Sequence, residues 1–525
     1  MTRKQKWTLV AAVLASATVF LDSTVVNVAL PRIGRELPHP LLGVLEGQTY
    51  VYTGYLLSLS TLLILAGALT DAYGRRRVFL LGLVGFGATS ALCGLAPNLE
   101  TLVVLRVLQG IAGAFLVPGS LALITASFSG PLQGRAFGIW SRASSGTTLL
   151  GPAVGGLLVD TLSWRAAFFI NIPITAIAIY ATWRHVPETR AEHPPSSFDW
   201  LGAIIVGVAV GGLAFGAVYG QQREWHDPVA FVMLAVGALA TIALPFYMAR
   251  ARNPLIPLSL FKSRAFTTIN VSTLLIYGAL YVSGYNQALF VQGTLGYTAV
   301  AAGLMFIPGG LLLTLMSPRF GTLTGRYGAR RFLIVGPLVM AVACLLYARV
   351  PATSSPWALN PHSASSVLPP VSYLVDFLPA TIVFGLGLGI MVAPLTAALM
   401  ASVPVTNAGL ASSINNAISR IGPQLAGAAV FIAVTAVFYA ALASRVPGLD
   451  PNSPALRAEV SPLNRPTPSA PANVAAQARY ASADAFHTAM LISAGLLVAG
   501  AAASAIGVAR KQPEALKTEI SGAAY

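Results

Sequence analysis

The chain has 525 residues, 55% hydrophobic and 9% charged, with 32 Lys and Arg against 17 Asp and Glu for a net charge of +15. A soluble protein carries roughly 25% charged residues because its surface must be clothed in polar groups, so this composition excludes one and points to lipid as the solvent. The basic residues are scattered through short loops and form no patch for nucleic acid. The two cysteines, Cys93 and Cys344, each sit in an apolar stretch, which excludes a disulfide framework or a cysteine zinc cluster.

The first apolar run extends from Trp7 to about Leu30. It is too long for the core of a signal peptide and no A-x-A site closes it, so it reads as an uncleaved first span. Runs near the ~20 residues needed to cross a bilayer follow at 49–70, 78–96, 101–126, 134–159 and 165–183. After a polar linker with Pro194 and Pro195 come two more, 200–219 and 228–249, then a basic, proline-broken segment, Arg250 to Arg264, expected along the interface. The last six are 265–291, 298–317, 331–349, 374–402, 408–440 and 485–509. The expected fold is all-α and polytopic, with 14 transmembrane helices arranged six, two, six. The domains expected are a six-helix bundle at 1–183, a linker with two extra spans at 184–264, a second bundle at 265–510 and a tail at 511–525. The segments Pro351 to Pro370 and Ala443 to Ala483, rich in Pro, Ser and Ala, read as solvated, loosely ordered loops.

An even span count puts both termini on one side. With that side inside, all five lysines (Lys4, Lys6, Lys262, Lys511, Lys517) and most arginines fall in cytoplasmic segments, as the positive-inside rule requires. The second span of each six-span block ends in a related loop. Gly67-Ala-Leu-Thr-Asp-Ala-Tyr-Gly-Arg-Arg-Arg77 is matched by Gly321-Thr-Leu-Thr-Gly-Arg-Tyr-Gly-Ala-Arg-Arg331, the trace of a duplicated block.

Of the acids, Asp22 alone lies deep in a span, roughly 22 Å from Trp7 at 1.5 Å per residue. A carboxyl there is costly and is a functional hypothesis by default, able to load and release a proton. Arg106, in the fourth span, needs a partner, and Asp22 is the deep acid available to it. Gln109, three residues on, extends the polar path. For Arg142 and Arg420, snorkelling toward the inner face is the preferred reading. In the fifth span, Gly151-Pro-Ala-Val-Gly-Gly156 combines a helix-bending proline with glycines that admit a close neighbour, which suits a moving seam. Gly422-Pro423 in the thirteenth span is a weaker echo, and GLGLG at 385–389 reads as helix packing. Asp71 is placed to accept from a neighbouring helix N-terminus. The histidines are isolated and no Walker sequence is present, so neither an enzyme site nor ATP-driven transport is indicated.

LDSTVVNVALP (Leu21 to Pro31), GALTDAYGRRR (Gly67 to Arg77), LRVLQGIAGA (Leu105 to Ala114) and GPAVGG (Gly151 to Gly156) resemble the four signature motifs of the fourteen-span drug:proton antiporters of the major facilitator superfamily. The resemblance covers essentially the whole chain. It implies the major facilitator fold, alternating access between two bundles, and export of lipophilic or cationic small molecules against proton entry. It also implies a bacterial inner membrane setting, with no cofactor besides the coupling proton. By this resemblance Asp22 and Arg106 carry proton coupling. Asp71, Gly67, Gly74, Arg75 and Arg76, with Gly151, Pro152, Gly155 and Gly156, carry the conformational switch. Two departures stand out: Thr147 replaces the glycine usual four before Gly151, with Gly146 one step away, and Gly325 stands where the first loop copy has Asp71.

The expected cycle is competition at Asp22, which takes a proton and releases substrate facing outward and does the reverse facing inward. Candidate substrate contacts are Asn27, Tyr55, Gln109, Trp140, Tyr277, Tyr281, Asn286 and Gln287; packing or lipid contact is an equal alternative for the aromatic residues and for Asn286 and Gln287. The expected partners are a small-molecule substrate and membrane lipid, with no nucleic acid and a monomeric chain. An exporter of one native metabolite or lipid, and a non-transporting receptor on the same scaffold, are the alternatives.

Overall fold

The computed structural model describes residues 1–38, 44–128, 130–189, 198–223, 225, 227–358, 366, 368–404 and 407–508. The side chains of some helical residues, Asp71 and Pro152 among them, are outside that description, as is the expected tail at 511–525. Among the described residues there are helices and no strands. Among the described residues, thirteen helices are long and apolar enough to cross a membrane. The predicted fifth span lies in Gly130–Thr161, a 32-residue helix that is not among the thirteen.

Local chemistry starts the helices where hydropathy placed them. Thr2 and Gln5 form a reciprocal capping box at the first. Asn98, Asp199, Asp227 and Ser263 each accept a backbone N–H at the start of another, satisfying donors the helix cannot pair itself. The Val229 N–H holds the half-buried Asp227 carboxyl below the usual carboxylate range, with the Tyr219 hydroxyl adding to the effect. The repeated loop turns on Gly74 (φ 109°) and Gly328 (φ 77°). A side chain at either would be strained, which accounts for the paired glycines. The fourth span is two helices, Leu99–Gly113 and Leu116–Ser127, broken at Ala114 and Phe115.

The first helix, Arg3–Glu36, packs on Gly130–Thr161, Asn171–His185, Leu116–Ser127 and Val44–Tyr73, and Arg75–Gly94 and Leu99–Gly113 complete this half. In the second half, Arg264–Leu289 packs on Ala408–Arg445 and Ala472–Gly507, and Ile307–Tyr327 and Ala329–Tyr347 pack on Leu378–Ala401. The inserted pair, Trp200–Gln222 and Pro228–Arg250, forms a hairpin closed by Gly212 against Gly237. Its first helix leans on both Val44–Tyr73 and Ala408–Arg445.

The halves meet unevenly. Near the termini, one apolar cluster runs through both, with Leu9, Leu63, Leu121 and Phe128 joined to Leu399, Leu410 and Ile414. On the opposite side the halves keep separate clusters, one around Val26, Ile33 and Phe168, the other around Phe290, Phe438 and Phe486. A cleft therefore divides the halves, closed at the terminal side and open at the other.

The long loops differ from expectation. Leu456, Val460 and Leu463 are buried in the 443–483 segment, as are Ala352 and Trp357 in the other. The helices Ala408–Arg445 and Ala472–Gly507, with 38 and 36 residues, are about 57 and 54 Å long at 1.5 Å per residue, well beyond a ~30 Å hydrocarbon core. Their outer turns give the loops something to fold against. Arg457 lies over the Tyr439 ring at 4.7 Å, Arg479 donates to the Ser354 carbonyl at 3.2 Å, and Arg445 pairs with Asp484 at 2.6 Å. The described residues of the two segments form an ordered cap on the second half.

Candidate functional site

Asp22 is fully buried, and helix geometry explains why. At 3.6 residues per turn it lies about 200° round the helix from Phe20. Phe20 faces the second half, under the Arg420 guanidinium at 6.0 Å. Asp22 therefore points into the interior of its own half. Asn27, seven residues from Phe20, returns to the cleft face and is exposed.

Inside the half, the structure gathers donors from two helices around the carboxylate. Arg106 Nη1 donates to Asp22 Oδ2 at 2.6 Å and to Gln109 Oε1 at 2.8 Å. Gln109 Nε2 and Asn171 Nδ2 donate to Asp22 Oδ1 at 3.1 and 3.0 Å. Arg106 Nε donates to the Val51 carbonyl at 3.1 Å, and its guanidinium lies 4.0 Å from the Tyr55 ring centre. Asn171 also donates to Ser90, which donates to the Phe168 carbonyl. Asp22, Arg106, Gln109 and Asn171 are all 0% exposed. Desolvating two charges costs several kcal/mol each, and an arrangement like this persists only because Coulomb attraction and multiple hydrogen bonds offset that cost. Two polar atoms stay unpartnered, Arg106 Nη2 and Asn171 Oδ1. The network is thus saturated at the carboxylate and open at its edge.

This corrects one part of the sequence reading. Asp22 was expected to face a cavity and compete directly with substrate; it is instead sealed within the first half. Arg420 is corrected too. It does not reach for the inner face but sits against Phe20 across the cleft. Arg142 is exposed.

Of the candidate contacts, Tyr55 and Gln109 belong to the buried network. Trp140 donates to Ser16 Oγ at 2.8 Å and ties two helices of the first half. Asn286 and Gln287 are buried. Asn27, Tyr277 and Tyr281 remain open to solvent or half-buried, with Tyr281 51% exposed. An apolar groove of about 840 Å³, bordered by Trp225, Phe231, Tyr439 and Arg457, lies between the inserted hairpin and the cap, away from the charge network.

The switch residues fall in two places. A Cβ on Gly67 would collide with the Ser413 side chain across the closed end of the cleft. Gly151 and Gly155 let their helix approach Thr24 and Val25 of the first helix, beside Asp22, whereas Gly156 meets no neighbour within 4 Å. Arg75 is buried and Arg76 half-buried. The backbone N–H groups of Arg76 and Arg77 donate to Glu188 at 3.1 and 3.2 Å. That carboxylate caps the helix after the loop, in the manner expected of Asp71 toward a neighbour. Glu188 and Asn171 were missed in sequence: the acid lies in a linker and carries no hydropathy signal, whereas the amide inside the sixth run was readable and was not singled out.

A model of the Major Facilitator Superfamily matches residues 12–427. The multidrug resistance protein Stp of Mycobacterium tuberculosis is 32% identical over 442 residues, covering 84% of this chain and 78% of that protein. The tetracenomycin C resistance and export protein of Streptomyces glaucescens is 31% identical, covering 86% of this chain and 78% of that protein. In fold, the chain is similar to the proton:xylose symporter XylE, with TM-score 0.57 at 15% identity over 95% of this chain and 94% of that one. With its helices, its divided halves and these relatives, the chain is a multi-pass membrane transporter, not an enzyme, and belongs to the Major Facilitator Superfamily.

Proposed function

We propose that this transporter exports lipophilic small molecules in exchange for protons, by alternating access, from a bacterial inner membrane with both termini in the cytoplasm. The observation that carries the reading is the buried Asp22–Arg106 pair. A carboxylate sealed at mid-membrane with an arginine, a glutamine and an asparagine around it is a proton store whose occupancy changes what holds the helices together. The resistance and export functions named for the relatives support the direction of transport.

The coupling is mechanical in this reading. In the form with its cleft open away from the termini, the carboxylate holds Arg106 and thereby the helix Leu99–Gly113. A proton on Asp22 removes that hold and leaves Arg106 to find other acceptors. The helix shifts about the break at Ala114 and Phe115. Its continuation, Leu116–Ser127, packs on Ala408–Arg445 of the second half at the closed end, so the closure is what moves. Gly67 and Ser413 part as that end opens.

The test uses everted membrane vesicles from cells expressing the chain, with an interior acidified by respiration. A fluorescent lipophilic substrate should accumulate inside and leave when nigericin collapses the pH gradient. Accumulation that persists after collapse, or that requires ATP in gradient-free vesicles, contradicts the reading.

A further inference from the structure

We infer that Arg420 is the charge-selecting residue of the cleft, and that the cargo carries a delocalised anion, a carboxylate, enolate or phenolate, on a lipophilic frame. This rests on the transport reading above and specifies its substrate class.

Arg420 stands twelve residues into the helix Ala408–Arg445, about 18 Å from its start at 1.5 Å per residue. That is mid-membrane depth. Its guanidinium faces Phe20 of the opposite half at 6.0 Å, so it points into the cleft and not into lipid.

Among the described residues no carboxylate pairs with it; the ion pairs are Arg32–Glu36, Arg77–Glu188, Arg106–Asp22 and Arg445–Asp484. The acid at similar depth, Asp22, is sealed and committed to Arg106. Carboxylates outside the description fall in loops or at span ends. The one nearest in register, Asp71, lies one turn beyond Gly67, which meets Gly409 and Ser413. That level is about 16 Å along the helix from Arg420. The Phe20 ring offers a quadrupole but no countercharge.

The surroundings suit an anion. Asn416, Arg420 and Gln424 recur at four-residue spacing and share one face of their helix. The Gln424 Oε1 atom is buried without a partner, but a carbonyl oxygen accepts and does not hold an anion, so recognition falls to the Arg420 guanidinium. A guanidinium presents a planar fork that matches a carboxylate, and it repels a cation of any shape. A lipophilic anion supplies what the cleft lacks, and the tyrosine rings hold its frame.

The test is counterflow in proteoliposomes without a pH gradient, using three dyes on one lipophilic frame bearing a carboxylate, a neutral amide or a quaternary ammonium. The wild type should exchange the carboxylate dye fastest. Arg420→Gln should slow that dye by about tenfold or more while leaving the neutral dye within about threefold, and Arg420→Glu should invert the preference toward the ammonium dye. Arg420→Lys, which keeps the charge and loses the fork, should retain the order of preference at a reduced carboxylate rate. Equal slowing of all three dyes in Arg420→Gln, or ammonium exchange by the wild type as fast as carboxylate exchange, overturns the assignment. Counterflow needs no proton drive. Charge selection that survives while gradient-driven transport is absent therefore counts against the coupling reading alone.

Discussion

At the residue scale, the Asp22–Arg106 pair sets the energetics. Removing one partner of a buried pair strands the other charge and typically costs about 3–5 kcal/mol, whereas replacing both with apolar groups of similar volume is often neutral or stabilising. Arg106→Leu should therefore lower the unfolding temperature in detergent markedly, and Asp22→Leu/Arg106→Met should recover most of the loss while transport stays absent. A double variant as unstable as the single would show that the network's hydrogen bonds, and not its charge balance, hold the half together. Asp22, Arg106 and Gln109 were legible because ionisable and amide groups stand out in an apolar run. Which way Asp22 and Arg420 point was not, since hydropathy gives depth and carries no helical phase. Phase became readable only once Phe20 was seen to face the second half.

At the scale of elements, the closed end of the cleft depends on Gly67. A Cβ there meets Ser413, so Gly67→Val should disfavour closure and shift the population toward the form open on the terminal side. Leu410→Cys, in the apolar cluster at that closure, should then react with a thiol reagent at least about fivefold faster than in the Gly67 parent. Cys93 and Cys344 are both buried and should contribute little background. An unchanged rate would remove Gly67 from the closure. The helical segments themselves were plain in sequence, as each apolar run falls in one helix or in two consecutive ones. The break at Ala114 and Phe115 went unread, although Gly113 precedes it and Pro118, which lacks an N–H and crowds the carbonyl four residues back, at Ala114, follows it.

At the scale of the whole molecule, two halves share one closure, and an inserted hairpin leans on both. The second half also carries the cap. Its composition resembles that of a disordered linker, and only the overlong helices beside it, with buried Leu456, Val460 and Leu463, give it a core. In right-side-out vesicles, trypsin should leave the cap intact at Arg457 and Arg479, both engaged in the fold; rapid cleavage at Arg457 would mean the cap is loose.

The account as a whole rests on a proton at Asp22 changing what that carboxyl holds. The direct measurement is substrate transport in proteoliposomes under an imposed pH gradient, comparing wild type with Asp22→Asn, alongside counterflow in the same vesicles without a gradient. The account predicts that Asp22→Asn keeps counterflow and loses acceleration by the gradient. Gradient-driven transport by Asp22→Asn equal to that of the wild type would contradict it.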